Sequence, residues 1–452
     1  MKKRGEFLAN TAILTGGTLL LRFCNIWFRV YIIGKIGTEG MGLYQLIFSI
    51  FSLAIATCTS GAGLTVTRMV AEGRGTRPCI RKCLIFSLSV SFLAAAVLWI
   101  GSDFFARQFL NIESGLPLRL LAPGLPFMAI CACLKGYFLA VRNSVVPALA
   151  ELLEQFTTIG ATIAFFFVFT PFSALMLAST VGEVASCAVV FFVYRLMTRK
   201  RPAADCSRSA GYRQIAHIAM PVLSGSFIRS FLSSTENLLV PRGLKRFGAD
   251  SSSALSQYGI IQGMVMPILF FPSSFLSSMS SMLIPELAEA NAQGKHKSIE
   301  ESASRTFRFT LLFSFLVTTL LIVYAEDLGT AFYNSREAGM FLRIMAPIIP
   351  LMYLDSVVDG MLKGLDQQMY SFKYNFMDSI MRVILIATAL PLFGVKAYIF
   401  ILFLSEIFNA SLSISRLLKV ARVEVDIVGW ILTPAVSAAL LYYVLTLLRQ
   451  LC

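Results

Sequence analysis

Charge is the first thing this sequence is short of. Asp, Glu, Lys and Arg make up 14% of its 452 residues, whereas 56% are hydrophobic. A soluble domain carries about 25% charged residues. So sparse a polar complement cannot cover a chain of this size in water, and lipid is the solvent expected for most of it. The ~10-residue alternating segments of a transmembrane barrel are absent too. The apolar runs instead reach roughly 20 residues, the length at which a helix crosses hydrocarbon with its backbone satisfied internally.

Catalytic equipment is also missing. There are two histidines, His217 at a helix start and His296 in a Lys-rich loop. The chain holds no Gly-x-x-x-x-Gly-Lys-Ser/Thr phosphate loop, no His-Glu-x-x-His and no Gly-x-Ser-x-Gly. No segment between apolar runs is long enough for a soluble catalytic domain. The expectation is a protein that is not an enzyme and carries no cofactor. Nine cysteines are scattered through apolar stretches. The C-x3-C pair Cys79/Cys83 and the C-x-C pair Cys131/Cys133 match no zinc or redox spacing, so no metal site is expected.

The charge that is present is mostly positive, 39 Lys and Arg against 25 Asp and Glu, net +14. No basic soluble face with interleaved aromatics is available to nucleic acid. The surplus reads as topogenic charge. The start Met1-Lys2-Lys3-Arg4 imitates a signal peptide, but Arg22 interrupts the following run and no small-residue cleavage site appears, so a retained first span is expected.

Apolar windows predict thirteen spans, near residues 11–33, 42–66, 82–101, 117–140, 146–169, 172–195, 214–240, 256–284, 308–325, 339–361, 371–392, 396–418 and 427–448. Arg68, Arg74, Arg77, Arg81 and Lys82 follow span two, and Arg195, Arg199, Lys200, Arg201, Arg208 and Arg213 follow span six. Lys295, Lys297, Arg305 and Arg308 follow span eight. All lie on the side of the N-terminus, which the positive-inside rule makes cytoplasmic.

An internal repeat divides the chain. Leu121-Ala122-Pro123-Gly124-Leu125-Pro126 opens span four, and Met345-Ala346-Pro347-Ile348-Ile349-Pro350 opens span ten. The same offset relates Gly136 to Gly360, Glu151 to Asn375 and Glu154 to Asp378. Val70-Ala71-Glu72-Gly73 is likewise echoed by Leu287-Ala288-Glu289-Ala290. The expected organisation is therefore an N-terminal six-helix lobe (1–200), a cytoplasmic linker (201–212), a C-terminal six-helix lobe (213–422) and one additional helix (423–452). Two such halves, related by a pseudo-two-fold along the membrane normal, are a secondary-transporter plan with substrate bound between them. Pro123, Pro126, Pro347 and Pro350 then mark either broken, hinge-like helices or simple helix starts.

A mid-span charge costs about 2.5–3.5 kcal/mol on insertion scales and faces a partner or a cavity. Arg22 and Arg29 are seven residues apart on one helical face, and Arg229 stands at the comparable place in span seven, with Glu236 seven further on. Arginine's planar fork suits phosphate oxygens, so a phosphate or pyrophosphate head group is the ligand predicted. Snorkelling of Arg29 and structural ion pairing of Arg22 and Arg229 are the alternatives. Asp355 and Asp359 share a face of span ten, Glu151 and Glu154 a face of span five, and Glu183 and Glu406 are single acids. Asp378 and Arg382 have the spacing of a mutual pair. Glu236, Asp355 and Asp359 are the candidates for a coupling Na+ or H+.

The run Arg22-Phe23-Cys24-Asn25-Ile26-Trp27-Phe28-Arg29, then Gly37-Thr38-Glu39-Gly40-Met41-Gly42-Leu43-Tyr44-Gln45, resembles the first two helices of the stage V sporulation protein B type of oligosaccharide flippases. Gly61-Ala62-Gly63-Leu64 with Thr67-Arg68-Met69-Val70-Ala71-Glu72, Glu236-Asn237-Leu238-Leu239-Val240-Pro241-Arg242-Gly243-Leu244 and Ile284-Pro285-Glu286-Leu287-Ala288 are similar to that branch too. It belongs to the multidrug, oligosaccharidyl-lipid and polysaccharide exporter superfamily, which includes the lipid II flippases. The resemblance implies an all-α polytopic membrane protein whose two pseudo-symmetric six-helix lobes form a V and work by alternating access. It implies an undecaprenyl-pyrophosphate-linked saccharide as cargo, with Arg22, Arg29, Arg68 and Arg229 lining the cavity. Relatives often have fourteen helices, one more than expected here.

The function expected is a flippase-like transporter of a lipid-linked peptidoglycan or polysaccharide precursor across a bacterial cytoplasmic membrane. Its partners are that lipid and the surrounding membrane lipids; it works as a monomer, alongside cell-envelope synthesis enzymes. An ion-coupled multidrug or cation antiporter of the same fold is the alternative, and a non-transporting scaffold for envelope assembly the alternative of another class.

Overall fold

The computed structural model describes residues 2–72, 77–141, 143, 145–199, 211–423 and 426–451. Most of the expected linker, 201–210, lies outside them, as do Arg74, Lys200, Arg201 and Arg208. The described residues form helices and no strands. In chain order these are α1 (Lys2–Ala71), α2 (Arg77–Ile100), α3 (Ser102–Phe105), α4 (Leu116–Leu121), α5 (Gly124–Ala140), α6 (Val145–Phe165), α7 (Pro171–Arg199), α8 (Tyr212–Phe247) and α9 (Ser251–Tyr258). They continue as α10 (Met266–Phe270), α11 (Ser273–Ala292), α12 (His296–Val323), α13 (Ala325–Tyr333), α14 (Arg336–Met345), α15 (Ile349–Gly364), α16 (Gln368–Phe393), α17 (Val395–Ala421) and α18 (Thr433–Leu451).

Each of the thirteen expected windows falls on this series. By length and apolar composition, however, 10 helices among the described residues qualify as spans, or up to 11 if the bent pair Ser251–Phe270 and Ser273–Ala292 is one span. Two features account for the difference. The first two windows lie on α1, whose candidate span runs over Leu20–Ala71 and in which two helices meet across a kink. Gly37, at φ 70 and ψ −177, kinks it; that backbone belongs to glycine, because a Cβ there meets the neighbouring carbonyl. The fifth window is α6, in which Glu151, Glu154 and Gln155 dilute the apolar run.

The proline repeats both sit where a span changes helix. In the first, Ala122 and Pro123 separate α4 from α5, and the Leu120 carbonyl beside the break accepts the Thr180 hydroxyl at 2.8 Å. In the second, a short 3-10 turn at Ala346–Ile348 joins α14 to α15. Pro126 and Pro350 lie in the first turns of α5 and α15, where a missing N–H removes no helical bond. A sharper bend of 55° falls at Phe271-Pro272, and the adjacent Leu269 carbonyl accepts the buried Tyr353 hydroxyl at 2.7 Å.

Two compact units emerge, one of Met1–Phe28 with Leu43–Leu238, the other of Arg29–Gly42 with Leu239–Cys452. Packing sets their boundaries. The first part of α8 is held in the first unit, where Ser234 donates to the Ser49 carbonyl at 2.6 Å and Asn237 to the Ser49 hydroxyl at 3.2 Å. The Arg29–Gly42 segment packs in the second, where a Cβ on Gly42 would overlap the Leu255 carbonyl oxygen. There Thr38 and Ser256 share a 2.7 Å hydrogen bond, and Ser252 donates to Glu39 at 2.6 Å.

Both units repeat one close crossing. A Cβ on Gly136 of α5 would overlap the Gly63 carbonyl of α1; a Cβ on Gly360 of α15 would overlap the Ser280 hydroxyl of α11. Small residues let helix backbones meet where lipid supplies no hydrophobic drive. Around the first crossing lies a core that includes Val66, Met69, Cys133, Leu134 and Phe138.

The terminal helix is part of the second unit and not a separate body. Phe307 stacks on Trp430 at 4.7 Å. Arg449 donates to the Val323 carbonyl at 2.9 Å and pairs with Asp327 at 3.1 Å. Outside the spans, Asp426 accepts from the Gly429 N–H at 2.8 Å and from Arg308 at 2.9 Å. These donors, the backbone N–H first, hold its carboxyl below the usual carboxylate range.

Candidate functional site

The first unit holds an ionic cluster on three successive helices. Lys135 of α5 lies 3.7 Å from Glu151 and 3.8 Å from Glu154 of α6, and Glu183 of α7 faces Glu154. One cation thus answers three carboxylates inside apolar helices. Lys135 was missed in the sequence, although it immediately precedes the repeated glycine Gly136; its repeat mate is Asp359, so that position changes sign between the halves.

The second unit carries the acid-rich counterpart. Asp378 pairs with Arg382 at 3.3 Å, as the spacing predicts, and accepts the Ser405 hydroxyl at 2.5 Å. Asp355 accepts from Asn409 at 2.9 Å, and Asn409 also reaches Asn375 at 3.4 Å. Asp359 accepts the Ser371 hydroxyl and faces Lys363 at 3.8 Å. Glu406 of α17 lies within electrostatic reach of Asp355 and Asp378. Two buried oxygens here, Asp355 Oδ1 and Asn409 Oδ1, have no partner within hydrogen-bond distance among the described residues, although the Ser413 hydroxyl lies beside the Asp355 carboxylate. An unpaired acceptor in a low-dielectric interior is costly. No group of three or more His, Cys, Asp or Glu among the described residues is arranged to hold a metal ion.

Of the acids singled out from sequence, Asp355 and Asp359 share this cluster on α15. Glu236 is buried on α8 in the first unit. Asn409 and Ser413 had no sequence signal of their own; only the packing of α15 on α17 brings them to Asp355.

The predicted basic residues separate. Arg22 and Arg29 share a face of α1, with Arg22 counted in the first unit and Arg29 in the second. Among the described residues the buried Arg29 Nη1 has no hydrogen-bond partner; the Arg29 charge reaches the Tyr333 hydroxyl. Arg229 is exposed on α8 in the first unit. Arg68 lies at the end of α1, paired with Glu72 at 2.8 Å. It lines a cavity of about 300 Å³ together with Arg213 and His217 of α8, the first read from the sequence as topogenic charge and the second only as a residue at a helix start.

These kinked and bent apolar helices share the fold of solved MATE transporter structures. The solved inward-facing conformation of a multidrug resistance MATE family transporter of the MOP superfamily matches with TM-score 0.68 over 95% of this chain and 98% of that one, at 14% identity. Residues 226–388 match the MatE family. Residues 7–291 match the family described as polysaccharide biosynthesis protein, and the chain belongs to that family. It is 28% identical over 378 residues to stage V sporulation protein B of Bacillus subtilis (strain 168), covering 80% of this chain and 73% of that protein. It is 21% identical over 409 residues to the lipid II flippase MurJ of the same organism, covering 81% and 74%. The family resemblance read from the glycine-rich and arginine motifs is therefore shown, and the chain is a multi-pass helical membrane protein.

Proposed function

We propose that this protein is a flippase that moves an undecaprenyl-pyrophosphate-linked saccharide across a bacterial cytoplasmic membrane by alternating access, with its N-terminus on the cytoplasmic side. The observation that carries the reading is Arg29. A guanidinium nitrogen buried in an apolar helix without an acceptor is an arrangement that an anionic ligand relieves, and a pyrophosphate offers oxygens in the geometry of the arginine fork. Arg22 and Arg229 are the further ligands proposed for the pyrophosphate, while the lipid tail stays in the bilayer. Family membership and the named flippase relative support the same reading.

The proposed coupling group is Asp355 with Asn409, where the two unpartnered oxygens await H+ or Na+; Asp359 and Glu236 are secondary candidates. Binding of the ion favours one conformation only to the extent that its affinity differs between the two.

The test is native mass spectrometry of the purified protein with undecaprenyl-pyrophosphate-linked saccharides, ordinary phospholipids and a panel of cationic drugs. Preferential retention of the pyrophosphate lipid, weakened in Arg29→Ala and Arg22→Ala, is the expected result. Equal binding by wild type and both variants would sink the assignment. The acids around α15–α17 favour a second reading, cation antiport. Retention of cationic drugs instead, abolished in Asp355→Asn, would establish it.

A further inference from the structure

The cavity between the end of α1 and the start of α8 is unlike the ionic clusters inside the spans. It encloses about 300 Å³ and belongs wholly to the first unit. Its floor is Met69 and Ile218, both part of the packed core around Val66 and Ile215, so its shape is held by buried apolar contacts. Its walls are polar: Arg68 and Glu72 from one helix, Arg213, Gln214 and His217 from the other.

The charge inside is predominantly positive. Glu72 engages Arg68 through Nε alone, at 2.8 Å, which leaves the forked Nη groups for another acceptor. Arg213 and His217 are four residues apart and therefore on one helical face. Neither has a hydrogen bond or ion pair among the described residues, and both are exposed. Two arginines, an amide and an imidazole around a space of this size match a phosphate-bearing group, to which arginine binds bidentately.

Position names the source of that phosphate. The candidate span on α1 ends at Ala71, and that on α8 begins at Tyr212. Tyr212 is exposed where aromatic side chains sit at a head-group layer. Basic pockets between transmembrane helices at this depth bind lipid head groups.

We infer that the cavity lined by Arg68, Arg213, Gln214 and His217 binds the phosphate of a lipid head group at the membrane surface. The site is separate from Arg22, Arg29 and Arg229, and it stands whether or not the cargo is a lipid-linked saccharide. The phosphate belongs either to an anionic phospholipid or to the pyrophosphate lipid before it is carried.

The purified full chain, titrated with dioctanoyl phosphatidylglycerol, farnesyl pyrophosphate and dioctanoyl phosphatidylcholine, distinguishes these sources. Binding of one or both anions in preference to phosphatidylcholine, weakened about tenfold in Arg68→Ala/Arg213→Ala, is the expected result; the stronger anion identifies the source. Gln214→Glu, which adds a carboxylate to the cavity and spares both arginines, should weaken binding similarly, and its melting temperature shows that the fold survives. Arg22→Ala/Arg229→Ala should retain this binding. If anion binding is lost only in that last variant, or is unchanged in Arg68→Ala/Arg213→Ala and Gln214→Glu, the surface site is overturned while the flippase reading is untouched.

Discussion

Replacing Gly136 by alanine tests whether the repeated helix crossing is a backbone contact. A Cβ at this position overlaps the Gly63 carbonyl oxygen and lies 3.0 Å from the Gly63 carbonyl carbon and Cα. These atoms belong to a helix, and Thr67 pins the crossing by reaching the Gly136 and Gly63 carbonyls, each at 2.9 Å. Relief therefore requires a whole helix to move, and overpacking of this kind costs about 1–3 kcal/mol. The repeat mate behaves differently. A Cβ on Gly360 overlaps the Ser280 hydroxyl and comes within 3.1 Å of Ser280 Cβ, but the Ser280 backbone oxygen is 3.6 Å away. The hydroxyl can turn, at about 0.5–1.5 kcal/mol for an off-rotamer side chain. Thermal melting of the purified variants should rank Gly136→Ala below Gly360→Ala, and Gly360→Ala/Ser280→Ala should return close to wild type. If Gly136→Ala melts with wild type, or Gly360→Ala is the less stable of the two, the backbone argument is wrong.

Lys135→Met leaves Glu151 and Glu154 without their cation. Because the Glu151 side chain is 54% exposed, the expected loss is about 1–3 kcal/mol, below the 3–5 kcal/mol of a fully buried broken pair; adding Glu151→Gln and Glu154→Gln should recover the melting temperature, and no recovery would refute the pairing. Asp426, held below the usual carboxylate range by Gly429 and Arg308, stabilises the start of the terminal helix at pH above about 3.9, its unfolded value, and loses that contribution as pH falls through its lower folded value. The stability gap between wild type and Asp426→Ala should therefore close in acid, and a gap unchanged at low pH would count against the cap.

Composition and apolar run length alone determined that this is a helical membrane protein, because a chain so poor in charge has no other solvent. The repeated Ala-Pro-x-x-Pro motifs marked the two places where a span changes helix, since proline acts locally on the backbone wherever it stands. The pairing of Asp378 with Arg382 was legible for the same reason: four residues on a helix are neighbours whatever the fold.

Contacts between helices were not legible. Lys135 meets Glu151 and Glu154 only because α5 packs beside α6, and Arg213 and His217 join Arg68 only because α8 starts beside the end of α1. Ser234 and Asn237 are likewise held by Ser49, and Gly42 packs on Leu255, only through the way the helices meet. Periodicity says which face of a helix is polar; which other helix that face meets depends on how small residues such as Gly63, Gly136 and Gly42 let backbones approach, and only the folded chain decides that.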